Sequence, residues 1–445
     1  MKKLLATTLT LLGLLNVFGQ NVSGVIKSKL RPDIKMHLAR VEGSQIIDVK
    51  SVEIKPSGIF DFGNINQPSG LYILYTTLKN RNFEFIIHQE PEIKISILDS
   101  GFRNVEVEIS EENKLYASYA KNKLNKAIKR KSLQKKLKNP NISVDEKRKI
   151  NNQIMVLEKA FLSQTNEILT QYPKSFCSFI IGGTFADNQS DKNLYFDDID
   201  FTNEDYIRTR ILAERFREYI VKFSKADQFG YMNSIDDIMH KAKVNQKVYE
   251  FSAYEMLEGF YKSGMEELSN YILDEYIFAE ACGGMKVGSI LKNRGQQMKK
   301  LQVGNNPPNI VLKNIKQQTE DLYKTVAKNK YTLVMFWSST CHSCESQMPM
   351  AKTLYSQYHG KGFEIFGMSL DLHATGWRKA VFDKKLNWIN VGDFKGWDSK
   401  VADSYKIVKT PTFFLLDSSG KIVSKPRNIQ EVSAILKKLD ENGGF

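Results

Sequence analysis

Residues 333–344, LVMFWSSTCHSC, decide the fold of the C-terminal third of the chain. Five apolar residues in a row predict a buried strand, and a short polar loop then leads to two cysteines that open the next helix. At a helix N-terminus, unpaired N–H groups and the positive end of the helix dipole stabilise a thiolate, so Cys341 is the expected nucleophile. Cys344 lies one turn further along, where its sulfur can attack a mixed disulfide on Cys341. The spacing therefore predicts thiol–disulfide exchange.

A second half of this site is predicted at Thr410-Pro411-Thr412, about seventy residues after the first cysteine. These residues stand directly before the apolar strand 412–416, and a proline that enters a strand usually lies at the edge of a sheet. A strand at 363–370 and a helix near Trp377 come between the two halves, and a turn at 417–420 and a helix at 429–439 follow. Strands alternating with helices, and then a late hairpin, predict an α/β domain with an antiparallel edge.

The segment from about residue 307 to the C-terminus resembles the thioredoxin fold, and within it the TlpA/ResA-type extracytoplasmic thiol–disulfide oxidoreductases. The resemblance is carried by residues 334–344, 348–349, 405–407, 410–417 and 420–422. It implies that Cys341 is the nucleophile, Cys344 the resolving thiol and Pro411 a cis-proline. It implies protein thiols or disulfides as substrates, an upstream redox donor in the membrane or envelope, and no cofactor. The residues expected at the substrate, or packed directly beneath it, are Thr410, Pro411, Trp337 and Thr340.

The chain departs from the family pattern at two carboxylate positions. Met335 stands where thioredoxin has a buried acid, and Gln347 stands where the TlpA/ResA type has a Glu three residues after the second cysteine. In the family, those carboxylates help to move the proton of the resolving thiol. This chain has no carboxylate at either position, so the proton of its resolving thiol must leave by another path. Asp371 and His373, at the end of the next strand, are candidate substitutes, and the alternative is that they are ordinary polar residues at a strand end.

The residues around the cysteines are expected to modulate the pair. Thr340 stands where the family often has Trp, and Ser343 where it usually has Pro. A protonated His342 would favour the thiolate of Cys341, which stabilises the reduced form and raises the reduction potential. The other interpretation of His342 is a spacer that faces solvent. Ser343 and Gln347 belong with His342 to this modulating group.

Two other chemistries use cysteines of this kind, a zinc site and a peroxiredoxin. A zinc site needs four ligands, and the remaining cysteines, Cys177 and Cys282, are distant in sequence, so no metal is predicted. A peroxiredoxin needs a Pro upstream of a lone reactive cysteine, and Val334 stands at that position. Cys177 and Cys282 could instead form a structural disulfide in an oxidising compartment, or both could be buried thiols.

Length and patterning predict a multi-domain chain. The 445 residues are 42% hydrophobic and 26% charged, which excludes a disordered chain. A basic start, an apolar run and small residues predict a signal peptide at 1–19, and hence a periplasmic or otherwise extracytoplasmic protein. Short alternating strands predict an all-β domain at 20–110, a sandwich or alternatively a small barrel, of which we expect the sandwich. Three- and four-residue spacing predicts an α-helical domain at 111–304. The thioredoxin-like domain is assigned to 305–445, and no later stretch is apolar enough to span a membrane.

Most of the formal net charge of +14 lies in one stretch, residues 121–150, with twelve Lys or Arg and two acids. A basic helix of this kind could bind an anionic surface, or it could simply be a solvated helical hairpin. Secretion and the absence of aromatic residues argue against nucleic acid. The front region also supports a rival to the enzyme: an envelope binding or scaffold protein whose thioredoxin-like domain is weakly active or accessory, with an envelope partner on the front domains.

Overall fold

The computed structural model describes residues 20–28, 34–76, 82–184, 190–279 and 287–445. The predicted signal peptide lies outside these residues. The chain forms two compact units, Met1–Glu255 and Met256–Phe445. In the part of the chain that the structure describes, no helix is both long and apolar enough to cross a membrane.

The first unit begins with a β sandwich, as the alternating pattern predicts. The strands form two four-stranded sheets in the orders β4-β1-β7-β8 and β3-β2-β5-β6. Alternate side chains from both sheets, such as Val22, Ile95, Leu38 and Leu74, meet in one buried cluster between the sheets. The strand Gly70–Thr76 is buried on both faces, because Leu71 and Ile73 pack in a second cluster with the helices that follow the sandwich. The strands are β1 Gln20–Ile26, β2 Lys35–Glu42, β3 Gln45–Glu53, β4 Ile59–Ile65, β5 Gly70–Thr76, β6 Asn82–Ile87, β7 Glu92–Ile97 and β8 Val105–Ile109.

Helices follow the sandwich, which confirms the expected order of β and α regions. Ser110 caps the first of them by accepting from the backbone N–H of Asn113. The basic stretch lies on α1 and α2, and in α1 the buried residues are Asn113, Tyr116 and Tyr119, all near the start of the helix. The basic remainder of α1 is therefore solvated. The helices are α1 Glu111–Leu137, α2 Val144–Gln171, α3 Phe176–Thr184, α4 Ile211–Phe223, α5 Gln228–Ala242 and α6 Gln246–Ser263.

The second unit holds a thioredoxin-like α/β fold. Its sheet has the order β13-β12-β11-β14-β15. Strands β11, β12 and β13 pair in parallel. Strand β14 pairs antiparallel with β11, and β15 pairs antiparallel with β14. The end of α6 and two further helices, α7 Glu266–Ile272 and α8 Ser289–Lys299, belong to the same unit. The remaining elements are β9 Val311–Lys313, β10 Thr319–Asp321, α9 Leu322–Val326, β11 Tyr331–Trp337, α10 His342–Tyr358, β12 Phe363–Ser369, α11 Ala374–Asp383, β13 Ile389–Gly392, α12 Lys400–Ser404, β14 Thr412–Asp417, β15 Ile422–Ser424 and α13 Ile429–Glu441.

The central strand β11 is apolar on both faces because helices cover both sides of the sheet. Leu333 and Met335 face a cluster that includes residues of α10, α11 and α13. Val334 and Phe336 face a second cluster, to which α9 and α12 contribute. The continuous run that predicted a buried strand is thus explained, and β11 delivers its C-terminal end to the loop that carries the cysteines.

Candidate functional site

Cys341 occupies the N-cap of α10, directly after the loop that leaves β11. Its Sγ accepts a hydrogen bond from the backbone N–H of Cys344 at 3.1 Å. Unpaired N–H groups and the helix dipole favour negative charge at this position. A thiolate on Cys341 is therefore stabilised by the start of the helix itself.

Cys341 and Cys344 form a disulfide, with Cα atoms 5.2 Å apart. Cys341 is half-buried, whereas Cys344 is fully buried, with 0% of its surface exposed. An incoming thiol or disulfide can therefore reach Cys341 but not Cys344. This difference in access matches the division into an attacking and a resolving thiol.

Thr410 and Pro411 lie beside the pair. The peptide bond between them is cis, and the carbonyl oxygen of Thr410 is 3.4 Å from Sγ of Cys341. Antiparallel pairing places Thr412 opposite Phe336, and this register brings the start of β14 next to the end of β11. Pro411 is buried and Thr410 half-buried, so the backbone of Thr410 borders the approach to the sulfur.

Asp371 holds the loop that precedes Cys341. This buried carboxylate accepts hydrogen bonds from the side chain of Ser338 at 3.2 Å, from the backbone N–H of Ser339 at 3.0 Å and from the hydroxyls of Ser339 and Ser369 at 2.5 and 2.7 Å. Most of the described hydrogen bonds of Asp371 connect it to this loop, so Asp371 is a residue that positions the loop. His373 is exposed and precedes α11 without a capping hydrogen bond from its side chain.

Gln347 has a structural contact that the sequence did not suggest. Its Oε1 accepts a hydrogen bond from the backbone N–H of Ile429 at 2.8 Å, which satisfies one of the unpaired donors at the start of α13. Its Nε2 is 3.4 Å from the carbonyl oxygen of Ser343. The side chain thus joins α10 to α13 beside the cysteine pair.

The other predicted site residues divide by exposure. His342, Ser343 and Thr340 are exposed around Cys341, so each can meet a protein substrate or solvent. Trp337 has 1% of its surface exposed and packs in the same cluster as Cys344. The structure therefore places Trp337 under the site as a packing residue, while its part in substrate binding stays a prediction.

The two remaining cysteines are remote from this pair in the chain. Cys177 is a buried thiol in α3, and burial raises its pKa to about 12. A thiol with so high a pKa is a poor nucleophile. Because Cys177 is a free thiol, it is not part of a disulfide in this structure. Cys282 lies outside the described residues. Among the described residues, no three His, Cys, Asp or Glu side chains are grouped as metal ligands.

Comparisons with known proteins find similar sequences for the C-terminal part of the chain. A family model for thioredoxin-like domains matches residues 328–422. The thiol-disulfide oxidoreductase ResA of Bacillus cereus is 32% identical over 126 residues, which are 28% of this chain and 70% of that relative. Among solved structures, a thiol-disulfide oxidoreductase from Bacteroides fragilis is 31% identical and covers 30% of this chain and 99% of that one, with a TM-score of 0.29. A thiol:disulfide interchange protein from Bacteroides sp. is 32% identical and covers 31% and 90%, with a TM-score of 0.29.

The ResA relative is 32% identical over 70% of its own length. The family model's residues 328–422 include β11, the cysteine pair and the Thr-Pro segment whose geometry is described above. The resemblance predicted from the sequence is thereby confirmed. The chain belongs to the family of thioredoxin-like thiol–disulfide oxidoreductases.

Proposed function

We propose that the protein is an extracytoplasmic oxidoreductase that exchanges disulfides with protein substrates through Cys341 and Cys344. The observation that carries the proposal is the unequal access of the two sulfurs: Cys341 is half-buried at a helix N-cap, and Cys344 is fully buried behind it. The pattern of residues 1–19 supports a location outside the cytoplasm.

In the reducing direction, the thiolate of Cys341 attacks one sulfur of a substrate disulfide and releases the other sulfur as a thiolate. The sulfur of Cys344 then attacks the Sγ atom of Cys341 in the mixed disulfide. This step releases the second substrate sulfur as a thiolate and forms the Cys341–Cys344 disulfide. The substrate gains two electrons and the pair loses two. A dithiol donor in the envelope restores the reduced pair by the same exchange. The reverse sequence oxidises a substrate dithiol.

Substrate binding is proposed along the Thr410 backbone. The Thr410 carbonyl oxygen, 3.4 Å from Cys341 Sγ, is in place to accept a hydrogen bond from an extended substrate segment that brings its sulfur to Cys341. Pro411 and Thr340 would border this segment. His342 and Ser343, exposed at the first turn of α10, are proposed to modulate the reactivity of the pair.

The reduction potential of the pair tests this proposal and assigns its direction. The full-length protein is equilibrated in glutathione buffers and its thiols are mass-tagged. A reduction potential of about −270 mV, as in thioredoxin, makes the protein a reductase. A reduction potential of about −120 to −180 mV makes it an oxidant or isomerase. A pair that never cycles between the two states, or a Cys341→Ser/Cys344→Ser variant with full exchange activity, would overturn the proposal.

A further inference from the structure

A groove in the second unit is lined by Lys409 and Pro411, the residues on either side of Thr410. It encloses about 130 Å³. One wall is the end of α6 and the turn into α7, residues 261–266, and the opposite wall contains Lys409, Pro411 and Thr412. The carbonyl oxygen of Thr410 is 3.4 Å from Cys341 Sγ, so two lining residues of the groove are direct chain neighbours of the residue that contacts the sulfur.

The two walls are held together by Lys425. Its Nζ lies 3.2 Å from Oε2 of Glu266, with 19% and 26% of the two side chains exposed. The same ammonium group lies 5.1 Å from the centre of the Tyr261 ring and 5.9 Å from that of Phe414. An ion pair that is partly removed from water and flanked by aromatic rings is less screened than a surface pair. The α6–α7 turn is therefore fixed against the thioredoxin-like fold before any substrate arrives.

The lining of the groove carries an excess of positive charge. It contains the five cations Lys262, Lys406, Lys409, Lys425 and Arg427 and the single carboxylate Glu266. Four of these cations have a carboxylate within 4 Å. The pairs are Lys262–Glu258, Lys406–Asp403, Lys425–Glu266 and Arg427–Glu431. Lys409 is exposed and has no ion pair with any residue that the structure describes. The uncompensated cation thus stands next to Thr410.

We propose that this groove binds the segment of a protein substrate that flanks its reactive cysteine, and that it selects a segment with acidic side chains. Lys409 is the residue that a substrate carboxylate would meet, because the charges of Lys262 and Arg427 are already offset by Glu258 and Glu431. The proposal rests on the proposed function, because the segment reaches the groove while its sulfur lies at Cys341. It assigns the α6–α7 turn, outside the thioredoxin-like fold itself, a part in substrate choice.

The test measures binding without chemistry, so that it does not depend on turnover. Three fluorescein-labelled twelve-residue peptides differ only in the four residues around a central Ser that replaces Cys: all Glu, all Gln or all Lys. Fluorescence anisotropy with the full-length oxidised protein gives their dissociation constants. We expect the Glu peptide to bind at least about fivefold more tightly than the Gln peptide at low salt, and the difference to shrink as ionic strength rises.

Charge-reversal variants locate the effect. Lys409→Glu is expected to remove the preference for the Glu peptide, and Lys421→Glu serves as the matched control, because Lys421 is an exposed lysine outside the groove lining. Equal affinity of the three peptides, or the same loss of preference in both variants, would overturn the groove assignment. Reduction of hydroxyethyl disulfide by the wild-type protein is measured in parallel. If that activity is absent while the Glu preference is present, the proposed function fails, and the groove is left as a site for acidic peptides without a part in disulfide exchange.

Discussion

The Sγ atom of Cys341 lies 3.4 Å from the carbonyl oxygen of Thr410, although 69 residues separate the two in the chain. The contact exists because β14 runs antiparallel to β11, with Thr412 opposite Phe336. At the N-cap of α10, the backbone N–H of Cys344 donates to the same sulfur. The Sγ atom of Cys341 therefore has one backbone donor and one backbone carbonyl oxygen close to it.

Replacing the buried cysteine should trap the reaction halfway. In a Cys344→Ser variant, Cys341 can still form a mixed disulfide, but the resolving thiol is gone, so adducts with substrate proteins accumulate. Non-reducing gels and mass spectrometry of the purified variant measure these adducts. Cys341→Ser should form none.

The matched control for this trap is Cys177→Ala, which removes a buried thiol of the first unit. It should leave adduct formation by the Cys344→Ser variant unchanged. Adducts that disappear with Cys177 instead would show that the wrong cysteine had been assigned as the nucleophile.

Cys177 itself should resist alkylation while the protein is folded. Burial raises its pKa to about 12, so at pH 8 only about one thiol in ten thousand is ionised. Because the folded-state pKa is raised, the thiolate fraction and the alkylation rate should increase steadily with pH. Mass spectrometry after iodoacetamide treatment, in buffer and in guanidinium chloride, measures the protection. Rapid labelling of Cys177 in the folded protein at pH 8 would contradict its placement.

Asp371→Ala should destabilise the loop before Cys341. The carboxylate accepts hydrogen bonds from Ser338, Ser339 and Ser369, and removing it leaves buried donors unpaired at a cost on the order of 2–4 kcal/mol. Urea denaturation measures the loss, and the rate of hydroxyethyl disulfide reduction should fall as well. Asp383→Ala, at an exposed carboxylate paired with Lys379, is the control and should change stability by less than about 0.5 kcal/mol.

Gln347 should matter for stability through an acceptor oxygen rather than through its amide nitrogen. Gln347→Ala leaves the N–H of Ile429 without its partner, and we expect a loss of about 1 kcal/mol in the free energy of unfolding. Gln347→Glu keeps the acceptor and places negative charge at the start of α13, so its stability should equal or exceed that of the wild type. If the two variants are equally destabilised, the contact with α13 is not what Gln347 contributes.

Glu364 should make stability depend on pH. Burial raises the pKa of this carboxyl above its usual value of 4.5, with Tyr355 and His359 as its polar neighbours. A raised folded-state pKa means that the protonated form stabilises the fold at low pH, and that this contribution is lost as pH rises through the folded-state pKa. The unfolding free energy of Glu364→Gln relative to wild type should therefore increase as pH rises above 4.5. Urea denaturation across this range measures it, with Glu267→Gln on an exposed side chain as the control.

Local chemistry was predictable because it depends on residues that are close in the chain. The apolar run of β11, the cysteine pair at a helix start and the turn after β14 each follow from a few consecutive residues, and all three occur in the structure. The fold class and the family were confirmed for the same reason. The alternation of the front strands likewise predicted a sandwich, whereas the burial of β5 on both faces depends on the helices that cover its outer side.

Contacts between distant segments were decided only by the tertiary structure. In the sequence, Asp371 and Gln347 are of interest for the transfer of the proton of Cys344. In the structure, Asp371 contacts the serines of the loop before Cys341, and Gln347 contacts the start of α13. Nothing in the local pattern joins Glu266 to Lys425, yet this pair fixes a wall of the groove beside the redox site. Sequence periodicity reports which face of an element is buried. It does not report sheet order or register, and these determine which distant side chains surround Cys341.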